Sequence, residues 1–259
     1  MVTMKFYQLA SLMAKLRSSE GCPWDRAQTK GDLRPYIMEE AMELIDAIDD
    51  GNPEKIREEL GDLIFEVIFV ARILEEEGNG TIDDVIDGIH DKMVERHPHV
   101  FGEKYLTTPD EVNKQWEQIK SGKRNDGSIL DGVSESLSAL VIAEKYSRKA
   151  SDVGFDWEDV SDIITKIQEE IAELNEAITR EDAKNIEDEI GDILFSVVNL
   201  ARFLKVHPEL ALRKTIKKFS RRFRYIEREV KECEKKMKDL SLDELEALWV
   251  EAKDKHRRS

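Results

Sequence analysis

Five acidic side chains occur twice in this chain, in one order and at one offset of 130 positions. Glu39, Glu40 and Glu43 are followed by Glu59 and Asp62; Glu169, Glu170 and Glu173 are followed by Glu189 and Asp192. A spacing of three puts Glu40 with Glu43, and Glu59 with Asp62, on one face of a helix. Two such faces set against each other make a cage of four carboxylates. Like charges so placed repel, so an arrangement made twice needs a counter-charge, and a divalent cation is the simplest one. All-carboxylate donors select hard ions, and magnesium is expected, with manganese possible. No histidine follows Glu40 or Glu59 at the Glu-x-x-His spacing of a di-iron bundle, and no loop carries the alternating ligands and central glycine of an EF-hand. Other acids, such as Glu54, Glu58 and Glu75 to Glu77, read as an ordinary solvated face.

Magnesium completes its shell with phosphates and water, so basic side chains are expected close by. Lys92 and Arg96 stand four apart after the first cage, and Lys218 and Arg222 repeat that spacing after the second. The latter pair lies among Arg213, Lys214, Lys217, Arg221, Arg224 and Arg228, whose outer members read as solvated. Trp116 and Trp249 follow the two pairs and offer stacking surfaces for a base.

The elements that must hold these groups are helices. The 3.6-residue period runs almost throughout, as in Leu9, Leu12, Met13 and Leu16, or Ile163, Ile164, Ile167 and Ile171. Leu44, Ala47, Ile48, Ile56, Gly61, Phe65, Val67, Ala71 and Arg72 recur at the same offset as the acids, which marks a copied helical unit. Gly51, Asn52 and Pro53 separate the acidic helices of the first copy, and Arg180 to Ala183 those of the second, so each copy holds a helix hairpin. The helix around Glu59 is apolar on most of its circumference and is expected to be buried on nearly all sides. The fold class is all-α, two tandem helical bundles. The boundaries are a first domain over 1–121, a glycine-containing linker over 122–132 and a second domain over 133–259.

A net charge of −16 on 259 residues argues against a nucleic-acid partner. Cys22 and Cys233 lie far apart and form no C-x-x-C pair, which indicates neither a disulfide framework nor a zinc site. The first twenty residues lack the pattern of a signal peptide, and the run Leu63 to Ala71 is too short to span a bilayer. A cytoplasmic protein without a membrane partner is expected.

Glu-Glu-x-x-Glu followed by Glu-x-x-Asp resembles the signature of the all-α nucleoside triphosphate pyrophosphohydrolases. The surroundings resemble the MazG family in particular: Gly21-Cys22-Pro23-Trp24-Asp25 with Gln28-Thr29, Arg96-His97-Pro98-His99-Val100-Phe101-Gly102, and Val153-Gly154-Phe155-Asp156-Trp157. The resemblance covers nearly the whole chain. It implies magnesium-dependent cleavage between the α and β phosphorus atoms of a nucleoside triphosphate, releasing monophosphate and pyrophosphate and clearing nucleotides from the pool. It implies a homodimer whose helices help complete the sites. Glu40, Glu43, Glu59, Asp62, Glu170, Glu173, Glu189 and Asp192 would ligate metal, and Glu39 or Glu169 would act as base or orient the attacking water. Lys92, Arg96, Lys218 and Arg222 would stabilise phosphate charge, and Trp24, Asp25, Gln28, Trp116 and Trp249 would contact nucleotide.

Two departures stand out. Glu95 replaces an expected basic residue before Arg96, and the second half has no Cys-Pro-Trp-Asp and Gln-Thr loop. The halves are therefore expected to differ in base selection, with the second the stronger hydrolase. His97 and His99, beside Pro98, read as packing and capping residues. The alternatives are a relative acting on deoxyuridine, deoxycytidine or phosphoribosyl nucleotides, and a helical scaffold with exposed carboxylates and no metal.

Overall fold

The computed structural model describes residues 2–109, 111, 112, 115, 116, 119 and 127–255. Its contacts divide the chain into two compact units, Met1–Arg124 and Asn125–Ser259. The first contains α1 (Val2–Leu16), α2 (Pro23–Ala27), α3 (Arg34–Asp50), α4 (Pro53–Glu76), α5 (Ile82–Arg96) and α6 (Pro98–Phe101). The second contains α7 (Ala139–Ser151), α8 (Val160–Thr179), α9 (Ala183–Phe203), α10 (Pro208–Glu232), a 3₁₀ turn (Met237–Asp239) and α11 (Leu242–Lys255). The described residues hold no strand, and no helix is long and apolar enough to cross a membrane.

Each cage belongs to a hairpin, α3 with α4 and α8 with α9. The turns are built alike. Asn52 caps α4 by accepting from the amides of Glu54 and Lys55, Asp182 caps α9 by accepting from that of Asn185, and Pro53 fills the first turn of α4, where no amide is needed. Gly51 closes α3 at φ 65°, and Glu181 stands at the same place in the second turn at φ 55°. A left-handed conformation costs an L-residue about 1 to 2 kcal/mol, only partly offset by the greater entropy glycine loses on folding. Glu181→Gly is therefore expected to stabilise the second unit by about 0.5 to 1 kcal/mol, read as a later thermal transition.

In the first unit α1 lies on α4, and Met13, Leu33, Ile68, Phe69 and Ile73 form the buried core. Arg17 ties it together. Its side chain is 7% exposed, donates from Nη1 to the carbonyls of Asp25 and Gln28 (3.1 Å to the latter), forks onto Glu76 from Nε and Nη2 at 3.0 and 2.8 Å, and sits 5.4 Å over the Phe69 ring. In the second unit α7 packs on α9 and α10, and α10 pairs with α11 around Tyr225, Ile226, Val230 and Ala252.

One expectation changes. The helix around Glu59 is covered on one side only: Ile68, Phe69, Ala71 and Ile73 are buried, whereas Leu60, Ile64 and Val67 are 43–47% exposed. Ile190, Leu194 and Val197 repeat that exposed stripe at the same offset. The stripes follow i, i+4, i+7 spacing, the side of each helix that its own unit leaves uncovered. Of the expected linker, residues 122–126 lie outside the described residues; Lys149 Nζ donates to the carbonyls of Ile129 and Asp131 at 2.9 and 3.2 Å and ties that stretch to α7. Gly61 and Gly191 lie mid-helix among the acids, and a methyl group added at either would meet no atom within 4 Å.

Candidate active site

The α3–α4 turn brings Glu40, Glu43 and Glu59 together, with one carboxylate oxygen from each within 4.8 Å of the others. Glu170, Glu173 and Glu189 converge the same way across the α8–α9 turn. Asp62 and Asp192, the expected fourth members, lie outside these trios; aspartate reaches one methylene less than glutamate. Asp62 still repels Glu40 and Glu59, and Asp192 repels Glu189. Glu170 is buried, Glu43 and Glu173 are exposed, and so each trio opens to solvent on one side.

Burial, and then the neighbouring acids, push the carboxyl groups of Glu40, Glu59 and Glu189 above the ordinary glutamate range. The charges that act on them are all negative. Glu189 Oε2 is buried with no hydrogen-bond partner among the described residues. Three converging carboxylates in each unit, with a buried and unpartnered oxygen on Glu189 among the described residues, suit a hard divalent cation.

Two differences between the copies touch the acids directly. Tyr36 in the first corresponds to Lys166 in the second, whose Nζ is 2.9 Å from Glu170 and 3.5 Å from Glu169, and these acids hold its ammonium above the usual lysine range, the Glu170 hydrogen bond most of all. Glu66 in the first corresponds to Ser196. Its carboxyl is raised by burial and by Glu40 and Asp62, and its Oε2 is buried with no hydrogen-bond partner among the described residues. Lys166 was legible at i−3 and i−4 from Glu169 and Glu170, but only against Tyr36 does it stand out.

Glu39 is exposed beside the first trio, and Glu169 lies at the mouth of the second against Lys166. Among the described residues no ion pair joins Lys92, Arg96, Lys218 or Arg222 to a cage acid; the cation paired there is Lys166. Arg222 lies 5.5 Å over the Trp249 ring, which also touches Phe219, and its Nε is buried with no hydrogen-bond partner among the described residues. Trp116 packs edge-on against His97 at 5.0 Å, and His97 Nδ1 bonds the Met93 carbonyl at 2.6 Å. Trp24 is half exposed beside Tyr36, Gln28 donates to its carbonyl at 3.1 Å, and Asp25 is buried.

An all-α chain with a duplicated acidic hairpin is the architecture that sequence comparison recovers. The model of the MazG nucleotide pyrophosphohydrolase domain matches residues 28–101 and 158–227, one stretch over each hairpin. The chain is 45% identical over 251 residues to the nucleoside triphosphate pyrophosphohydrolase/pyrophosphatase MazG of Thermotoga maritima, covering 96% of this chain and 95% of that protein. It is 40% identical over 254 residues to the nucleoside triphosphate pyrophosphohydrolase of Escherichia coli K12, covering 95% and 96%. It is also 46% identical over 258 residues to the uncharacterized protein YabN of Bacillus subtilis, covering 98% of this chain and 53% of that one. This chain belongs to the MazG family.

Proposed function

We propose that the chain hydrolyses nucleoside triphosphates between the α and β phosphorus atoms, releasing a monophosphate and pyrophosphate. The observation that carries this reading is the pair of converging glutamate trios, each inside a segment matched by the pyrophosphohydrolase family model. Glu40, Glu43 and Glu59, with Asp62 alongside, would hold magnesium or manganese in the first unit, and Glu170, Glu173 and Glu189, with Asp192, in the second. Such an ion, when bound, supplies positive charge to the phosphate chain and makes water a better nucleophile. Glu39 and Glu169, beside the trios on the same helices, accept the proton of the attacking water. Lys218 and Arg222, with Lys92 and Arg96, neutralise charge on the departing pyrophosphate. Incubation with the common ribo- and deoxyribonucleoside triphosphates and Mg²⁺ tests this. Monophosphate plus pyrophosphate supports it; diphosphate plus phosphate, or no turnover, rejects it. The role that follows is clearance of nucleotides from the pool.

The protein acts as a homodimer in this reading. The stripes Leu60–Ile64–Val67 and Ile190–Leu194–Val197 are apolar and exposed at equivalent places in both copies. Contiguous apolar surface of this kind marks a contact between chains, and a second copy is also the means of bringing basic helices to acids with which, among the described residues, Lys92, Arg96, Lys218 and Arg222 form no ion pair. Leu194→Glu is expected to halve the mass measured by light scattering in solution while helicity is unchanged; a mass equal to one chain in the parent protein rejects the dimer.

A further inference from the structure

The second unit contains a cavity of about 420 Å³ that no role assigned above uses. Tyr146 and Ser147 of α7, Phe155 and Trp157 of the loop before α8, and Phe195 and Asn199 of α9 line it. Phe195 and Asn199 follow Asp192 by three and seven positions, so the three share one helix face, and Asn199 stands about 10 Å along the axis from the acid. Phosphates held at the acids therefore place a nucleoside over the cavity, whose volume falls in the range of small-molecule sites and whose aromatic rings offer stacking faces.

The polar groups of the wall are specific. Ser147 Oγ is buried with no hydrogen-bond partner among the described residues. Asn199 Oδ1 accepts from Arg202 Nε at 2.9 Å, while Arg202 Nη1 donates to Asp156 Oδ2 at 3.2 Å. Arg202 thus fixes the amide so that its NH₂ end is the one available to a ligand.

We propose that this cavity seats the base and selects those with a lactam edge, a ring C=O beside a ring N–H, as in hypoxanthine, guanine, uracil and thymine. The inference rests on the function proposed above. The Asn199 NH₂ donates to the carbonyl and Ser147 Oγ accepts from the ring N–H. Adenine and cytosine bring an amino group against the Asn199 amino group, donor facing donor, and leave buried groups unsatisfied. The first unit cannot read an edge this way, because Phe69 occupies the place of Asn199 and is buried in the core beneath Arg17.

Inosine and adenosine 5′-monophosphates differ at this edge alone and are the probes. Calorimetric titration of the full chain is expected to show the inosine compound binding at least about tenfold more tightly. Asn199→Leu should bring that ratio close to one, and Ser147→Ala, which removes only a buried hydroxyl, should reduce it several-fold with the circular dichroism unchanged. A parent ratio near one, a ratio unmoved by both variants, or no binding of either probe at millimolar concentration overturns the proposal. Hydrolysis of inosine and adenosine triphosphates is measured in parallel. Turnover without discrimination removes the cavity's role and leaves the proposed function; discrimination in binding without turnover does the reverse.

Discussion

Glu173→Gln is expected to lower triphosphate turnover by about tenfold, Glu43→Gln to leave most of it, and the double variant to be inactive. Both trios keep their glutamates, so neither unit has lost the means of holding a metal. The difference lies in what surrounds them. The second unit has Lys217, Lys218, Arg221 and Arg222 on α10, whereas the first has Lys92 and Arg96 with Glu95 between them. A well-placed cation at developing phosphoryl charge lowers the barrier by a few kcal/mol, and an acid beside it opposes that, so about tenfold is the scale to expect. Excess chelator should abolish turnover, and metal affinity should fall on acidification sooner than for ordinary glutamates, because protons compete for the raised carboxyls of Glu40, Glu59 and Glu189. Without metal, the thermal stability of Glu173→Gln should hold or rise, since the change relieves repulsion at an exposed side chain. Turnover undiminished by chelator removes the metal, an active double variant removes the cage, and full activity in Glu173→Gln with none in Glu43→Gln reverses the ranking.

Arg17→Ala is expected to destabilise the first unit by about 3 kcal/mol or more, the scale for breaking a largely buried ion pair. It would leave Glu76 without its fork, two carbonyls without a donor and the Phe69 ring without its cover. The pair also has a pH signature. Hydrogen bonding from Arg17, then from Arg72, holds the Glu76 carboxyl below the ordinary value, so its contribution is complete above the unfolded glutamate pKa and is lost as pH falls through the lower folded one. Chemical denaturation of Arg17→Ala beside Glu76→Gln measures this, and a loss below about 0.5 kcal/mol, within the range of an ordinary surface substitution, would show that Arg17 is not what holds this end together.

The hairpins and the glutamate trios were legible because helical period and an ungapped repeat are local signals. Register within α3 and α4 is enough to say that Glu40, Glu43 and Glu59 meet. The absence of Asp62 from the trio depends on a side chain's reach, which spacing does not encode. Arg17 was not legible at all, since its partners are two loop carbonyls and a residue 59 positions away. The same holds for the cavity, whose lining comes from four separate segments and whose key donor, Asn199, reads in the sequence as one more polar residue on an amphipathic helix. The apolar circumference of α4 was visible, but sequence does not distinguish burial within a chain from burial against another.

Gly61 and Gly191 give that last point a thermodynamic form. Glycine in a helix interior sacrifices about 0.5 to 1 kcal/mol relative to alanine, and in the isolated chain nothing crowds either position. Set beside apolar stripes that water covers in the single chain, this describes helices left less stable alone than their sequences permit. With a dimer, folding and association become one equilibrium, and the melting temperature rises with protein concentration by mass action. In the proposed dimer, dilution would then separate and unfold the chains as surely as heat.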